Sequence, residues 1–310
     1  MFNALHRSRW ALAMCAALFA AGHADAQSTW AGRKLAAGEF FSAQLAADGT
    51  VWSWGENTNG ELGDGTVLNR SLPTLAIGLA NVTSISAGNN HMLALTTAGD
   101  VYAWGANDDG QLASNRTARL EVRPIKVSAL TQVASVSAYG STSAAVSGGS
   151  VWLWGRAVTR SVPARMTGAV QSGETPIGVV IGLDAGITVL SNRTMRVWSM
   201  SPSLTSSSAI VARSDGSPLT GVVRVAGDDT TFYAVTDDGQ AWKFGGAVAE
   251  KITLPGSVAA ADVAAGRGQV AWVSAAGAMF MQGDNTFGQL GISIVSGVTT
   301  ALSQVQNISN

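Results

Sequence analysis

Apolar and polar residues alternate with a period of two in a series of short segments, most plainly in three near-identical pentapeptides, VWSWG at 51–55, VYAWG at 101–105 and VWLWG at 151–155. That period puts every second side chain on one face of a strand. Trp52 and Trp54, Tyr102 and Trp104, and Trp152 and Trp154 therefore share faces, and one face of each strand is aromatic. Weaker copies at 197–200 (VWSM), 241–245 (AWKFG) and 279–283 (MFMQG) extend the series to six, with steps between equivalent ends that shorten from 50 to 38 residues.

Each copy is preceded by a second short apolar segment and a turn. Asp48-Gly49, Ala98-Gly99, Gly148-Gly149, Asp238-Gly239 and Ala276-Gly277 supply residues that tolerate positive φ, and Asn192-Arg193 fills the fourth turn. Six hairpins are thus marked. Two further columns of strands lie between them. One holds Pro73, Pro124 and Pro163 at its start, with counterparts at 209–211, 251–254 and 301–305. The other begins at Val82, Val133, Val179, Val222 and Ala259. A hairpin with an apolar face cannot hide it alone, and four strands per unit, stacked unit on unit, bury it on both sides.

The predicted class is all-β, a β-propeller of four-stranded blades. The count is six, or seven if residues 168–182 hide a further unit. Because the chain starts on a hairpin and ends on outer-strand sequence, residues 301–308 are expected beside residues 33–37, so that the two termini share a blade and close the sheet edges.

The first 26 residues read as a secretory signal peptide: Arg7 and Arg9, an apolar run from Trp10 to Ala21, then Ala24-Asp25-Ala26 as a small-x-small cleavage site. Residues 27–310 are expected to form one domain, secreted or periplasmic, with no membrane span. Cleavage removes Cys15, His6 and His23, leaving His91 as the one histidine, and takes the balance to 17 basic against 19 acidic residues. Thiol nucleophiles, disulfides and Cys/His zinc sites are excluded in that mature chain. A net charge of −2 makes nucleic acid an unsuitable partner.

The stretch 87–112, Ala-Gly-x-x-His-x-x-Ala-Leu followed by a glycine turn and Val-Tyr-x-Trp-Gly-x-Asn-x-x-Gly-Gln-Leu, resembles the repeat of the regulator of chromosome condensation family. Asn57 to Gly63 and Asn285 to Gly291 repeat its tail, whereas the third to fifth units lack the Asn-x-x-Gly-x-Leu segment. The resemblance implies a propeller that binds another protein. The nuclear roles of the founding members, on chromatin and a small GTPase, do not suit an exported chain. Exported bacterial relatives that bind proteins, among them inhibitors of secreted enzymes, suit it better.

The candidate chemical groups of the chain have structural roles as their expected ones. His91 matches the family's own histidine at the start of a strand, where a hydrogen bond between blades is its expected role. Asp48-Gly49-Thr50-Val51-Trp52 lacks the spacer of a sialidase Asp box. The pairs Asp108-Asp109, Asp228-Asp229 and Asp237-Asp238 lack the alternating oxygen donors of a calcium loop. No cofactor and no catalytic residue is predicted, and the chain is expected to be monomeric. The candidate partner-binding residues are those entering the hairpins: Glu39, Phe40, Asn89, Asn90, Tyr139, Asp228, Asp229 and Arg267. The competing reading is a lyase or polysaccharide-degrading enzyme with a central-channel site whose base is a carboxylate or tyrosine.

Overall fold

The computed structural model describes residues 34–114, 118–266, 268–286, 290–292 and 297–305. Among these residues are six antiparallel sheets, each made of four consecutive strands in up-and-down order. Blade I contains β1 (Leu35–Ala37), β2 (Phe41–Leu45), β3 (Val51–Gly55) and β4 (Arg70–Leu75). Blade II contains β5 (Val82–Ala87), β6 (His91–Thr96), β7 (Val101–Ala106) and β8 (Leu120–Lys126). Blade III contains β9 (Val133–Tyr139), β10 (Thr142–Ser147), β11 (Ser150–Gly155) and β12 (Arg160–Arg165). Blade IV contains β13 (Pro176–Ile181), β14 (Ala185–Leu190), β15 (Met195–Ser199) and β16 (Ser208–Ile210). Blade V contains β17 (Val222–Gly227), β18 (Phe232–Thr236), β19 (Ala241–Phe244) and β20 (Glu250–Ile252). Blade VI contains β21 (Ala260–Gly266), β22 (Gln269–Ser274), β23 (Met279–Asp284) and β24 (Val298–Gln304). The count is six, because residues 168–182 lead into and form the first strand of blade IV.

The blades fall into two compact units. One, within residues 30–191 and 196–209, holds blades I to III and nearly all of blade IV; the other, residues 192–195 and the chain from 210 onward, holds blades V and VI. In each unit the core lies between consecutive sheets, as stacking of one-sided units requires. Leu45, Val51 and Leu62 of blade I meet Met92, Ala94 and Trp104 of blade II. Leu93, Val101 and Leu112 meet Val136, Ala145 and Trp154. Ala144, Val151 and Leu153 meet Val179, Ile181 and Trp198. In the second unit Ala226, Val235 and Ala241 meet Val263, Val270 and Trp272.

Three expectations need correction. The termini do not share a sheet: β1 pairs with β2, and β24 with β23. The column containing Val82, Val133, Val179 and Val222 opens the following blade instead of finishing the preceding one, so each blade is complete in four consecutive strands. Residues 306–308 of the expected closing segment, like the signal peptide, lie outside the described residues. Second, the aromatic face is graded. Trp104 and Trp154 are 0 % exposed, but Trp52 is 39 % exposed, and Tyr102 and Trp152 are half-buried. The first aromatic of each pair lies opposite the end of the outermost strand, at Leu75, Lys126 and Arg165 respectively. Third, Pro73, Pro124 and Pro163 lie inside β4, β8 and β12, not at their start. On an outermost strand the missing amide costs no ladder bond and blunts the edge.

Candidate functional site

One end of the sheets carries the turns between first and second strands and the loops after third strands. The two are tied together by one recurring bond. The Phe40 carbonyl accepts from the Glu56 amide at 2.9 Å, Asn90 from Ala106 at 2.7 Å, Ser141 from Arg156 at 3.0 Å, and Asp184 from Met200 at 2.7 Å. This contact explains the last residue of the pentapeptide. Gly105 has φ of 99°, and a Cβ there would lie 2.5 Å from the Asn90 carbonyl oxygen; Gly55 and Gly155 meet Phe40 and Ser141 in the same way.

The loops after β3 and β7 are built around an asparagine. Asn57 Oδ1 accepts the Leu62 amide at 2.9 Å and its Nδ2 donates to the Thr66 and Leu68 carbonyls at 3.0 and 3.1 Å. Asn107 does the same for Leu112 and Ala118, at 3.1 and 3.0 Å. So folded, each loop offers a carbonyl to the next blade. Trp104 Nε1 donates to the Glu61 carbonyl at 2.8 Å, and Trp154 Nε1 to the Gln111 carbonyl at 2.7 Å. The glycine of each loop rests on the neighbour's outermost strand, where a Cβ on Gly110 would lie 2.5 Å from Ser161 Cα. Glu61 is buried, its Oε2 accepting the Asn59 amide at 2.9 Å and its Oε1 the Asn59 Nδ2 at 2.7 Å. Burial holds its carboxyl above the ordinary range.

His91 is 0 % exposed and its Nε2 lies 2.9 Å from Ser143 Oγ. The Ser143 hydroxyl donates to the Gln111 carbonyl at 2.9 Å. A hydroxyl has one proton, so Nε2 carries the hydrogen and donates to Ser143. Nδ1 is then a bare lone pair, buried beside Gly88 with no partner. Burial holds the imidazole down to about 3, neutral through the physiological range. A base needs a reachable proton, and this one joins blade II to blade III as the sequence suggested.

The turns themselves are linked. The Glu39 amide donates to the Asn89 carbonyl at 2.9 Å, and the Asn89 amide to the Gly140 carbonyl at 2.8 Å. In the first unit the structure thus brings Glu39, Phe40, Asn89, Asn90 and Tyr139 to consecutive turns. Phe40 is 54 % exposed. Asn89 acts through its backbone, and Tyr139 is half-buried against the cluster containing Ala144 and Val151, so neither is a free contact residue. In the second unit Asp229 is exposed, whereas Asp228 is buried and its Oδ2 accepts the Gly268 amide at 2.6 Å. Asp228 therefore ties the first turn of blade V to that of blade VI. Arg267 lies outside the described residues.

Sequence reasoning missed Leu183, 52 % exposed in the β13–β14 turn, and Val67 and Leu68, 47 % and 60 % exposed in the loop after β3. Alignment of Gly182-Leu183-Asp184 with Gly88-Asn89-Asn90 was the signal available for Leu183. The acidic pairs serve locally: Asp108 pairs with Arg119 at 2.6 Å, Asp237 with Arg193 at 3.1 Å, and Asp238 accepts from Thr236 Oγ1 at 2.6 Å. Among the described residues no group of three His, Cys, Asp or Glu side chains is placed to hold a metal ion. No helix among them is long and apolar enough to cross a membrane.

Two models of the regulator of chromosome condensation (RCC1) repeat match the chain, one over residues 48–95 and 98–146 and the other over 33–61 and 82–111. Among solved structures, human WBSCR16 is similar over 88 % of this chain and 81 % of its own, with a TM-score of 0.72 and 20 % identity. Prp20p from Saccharomyces cerevisiae, studied with its binding properties to Gsp1p and histones, is similar over 88 % and 76 %, with a TM-score of 0.70 and 17 % identity. Yeast RCC1 (Prp20) bound to Kap60 gives 0.68 and 16 % over 88 % and 74 %. At these identities the likeness is one of fold, and it is the fold that the strand order, the Trp-Gly ends and the Asn-x-x-Gly-x-Leu loops already describe. Residues 33–146 thus match the regulator of chromosome condensation repeat, and the described residues share the fold of the propellers built from it.

Proposed function

We propose that this chain is an exported, non-catalytic propeller that binds a protein partner through the loop end of its blades. The observation that carries the reading is the presentation of Phe40 and Leu183, 54 % and 52 % exposed, on turns whose backbones are bonded to their surroundings. An apolar side chain on a rigid turn loses little freedom when it is covered, which favours an interface anchor. Solved propellers of the same fold include Prp20p, characterised for binding Gsp1p and histones, and RCC1 bound to Kap60. The proposal extends to this chain the habit of binding proteins, not those partners. Export rests on the basic, apolar and small-residue pattern of the first 26 residues.

The test is site-specific photo-cross-linking in the producing cell. A photoreactive residue at Phe40 or Leu183 is expected to capture one discrete protein, while the same residue at Ala98, exposed on the opposite hairpin end, captures none. Phe40→Ala should weaken the captured complex at least tenfold, as expected for an anchor worth about 1.4 kcal/mol or more. Equal capture from both ends, or turnover of a glycan unaffected by Phe40→Ala, refutes the reading.

A further inference from the structure

Charge is segregated along the chain. Between Glu121 and Glu174 there is no acidic residue, while Arg123, Lys126, Arg156, Arg160 and Arg165 fall in that interval. Blade III as a whole therefore carries cations and no anion. The fold brings these residues to the outermost strands of two consecutive blades: Arg123 and Lys126 on β8, Arg160 and Arg165 on β12, and Arg156 in the single helical turn just before β12. The two strands are joined by the loop of blade II whose Gly110 rests on Ser161. Lys126 is neutralised by Asp100 at 2.8 Å. Arg123, Arg156, Arg160 and Arg165 are exposed and form no ion pair among the described residues. Elsewhere Arg70, Arg119, Arg193, Arg196 and Arg224 each have a carboxylate partner, and Arg213 lies over the Trp242 ring and donates to the Pro218 carbonyl. In a chain with a formal charge of −1, four exposed arginines without an ion pair on the outermost strands and adjoining turn of two consecutive blades, with Val162 42 % exposed on β12, are not an even solvated coat. A guanidinium is a planar fork suited to carboxylates and weakly hydrated, so it exchanges water for a fixed anion more readily than an ammonium does.

We propose that the flank formed by β8 and β12 is a second docking surface, which takes an acidic, carboxylate-rich segment of a protein partner on Arg123, Arg156, Arg160 and Arg165. The inference rests on the reading of the chain as a protein-binding propeller and deepens it by stating the partner's charge. Carboxylates are favoured over a sulfated polysaccharide because the arginines lie along extended strands, beside an exposed valine that a peptide side chain can cover. Attraction of this kind acts over about 8 Å at physiological ionic strength, so it steers and orients the partner and weakens with salt.

The probe is fluorescently labelled poly-L-glutamate, titrated with the full chain by anisotropy at low and at physiological salt. Saturable binding is expected. The triple variant Arg156→Gln, Arg160→Gln, Arg165→Gln should weaken it at least tenfold, and the charge-matched control Lys34→Gln, Lys243→Gln, Lys251→Gln should change it less than twofold. If the triple variant fails to fold, the single exposed change Arg160→Glu carries the test and should weaken binding at least threefold. No binding of polyglutamate, equal loss in the control, or binding of dextran sulfate without polyglutamate overturns the inference. If polyglutamate binding fails while the Phe40 cross-link persists, only this inference falls; if the cross-link fails while arginine-dependent binding persists, only the loop-face reading falls.

Discussion

Replacing His91 with phenylalanine, the residue that opens the equivalent strand in blades I and V at Phe41 and Phe232, should make the protein less sensitive to acid while costing little at neutral pH. In the folded chain the imidazole is held down to about 3, whereas in the unfolded chain it titrates near its ordinary value of about 6.5. The unfolded state therefore binds the extra proton first as pH falls. Stability is unaffected by this group above about 6.5 and is lost progressively below it, by about 1.4 kcal/mol per pH unit until the folded ring itself titrates. At pH 4.5 the loss comes to about 2.7 kcal/mol. Phenylalanine removes that dependence but also removes the Nε2 donor to Ser143, worth about 1 kcal/mol. The variant should then be slightly the weaker at pH 7 and the stronger by about 1 to 2 kcal/mol at pH 4.5. Urea unfolding followed by far-ultraviolet circular dichroism at pH 7, 5.5 and 4.5 measures both proteins side by side, and titration of every other group cancels in the difference. A difference that stays constant between pH 7 and pH 4.5 would refute the buried neutral ring with its bare Nδ1.

Further expectations concern the joints between blades. Glu61, whose folded carboxyl is raised by burial, contributes stability that is present at low pH and lost as pH rises through the folded value; Glu61→Gln, matching Gln111 of the next blade, should raise the melting temperature at pH 7, with the gain gone near pH 4. Trp154→Phe keeps most of the ring volume but removes the 2.7 Å bond to Gln111, and should cost about 1 to 3 kcal/mol in chemical denaturation. Trp104→Ala, which also opens a cavity at a fully buried site, should cost about 3 to 5 kcal/mol by the same assay. Gly110→Ala should destabilise strongly, since the added carbon meets Ser161 and φ is +77°, whereas Gly216→Ala, with φ of +83° but nothing within 4 Å, should cost only about 1 kcal/mol in melting experiments.

Much of this fold was legible because period-two alternation and turn glycines act over a few residues and leave their mark locally. The six hairpins follow from Gly49, Gly99 and their counterparts, and even Arg193 in the fourth turn adopts a φ of 60°. The blade boundary was not legible in the same way. Val82 to Ala87 shows the same apolar pattern whichever sheet it joins, and periodicity names a face without naming a partner strand. That is why the termini were expected to share a blade. At the loop end, Phe40 was found from its place before a hairpin, but Leu183 carries no polar or glycine signal of its own, and the burial of Asp228 and Tyr139 depends on neighbours far off in sequence.

The tryptophan joints give the first unit a direction. Trp104 takes its acceptor from Glu61, and Trp154 from Gln111, so blades II and III each lean on a loop belonging to the blade before them in the chain. Losing blade III leaves the Gln111 carbonyl uncovered and free to bond water, a mild change. Losing blade I leaves the Trp104 indole N–H with no acceptor while the core around it stands open. At these two joints the dependence runs one way along the chain, in the order in which a ribosome releases it: blades II and III each emerge to find the carbonyl they require already waiting.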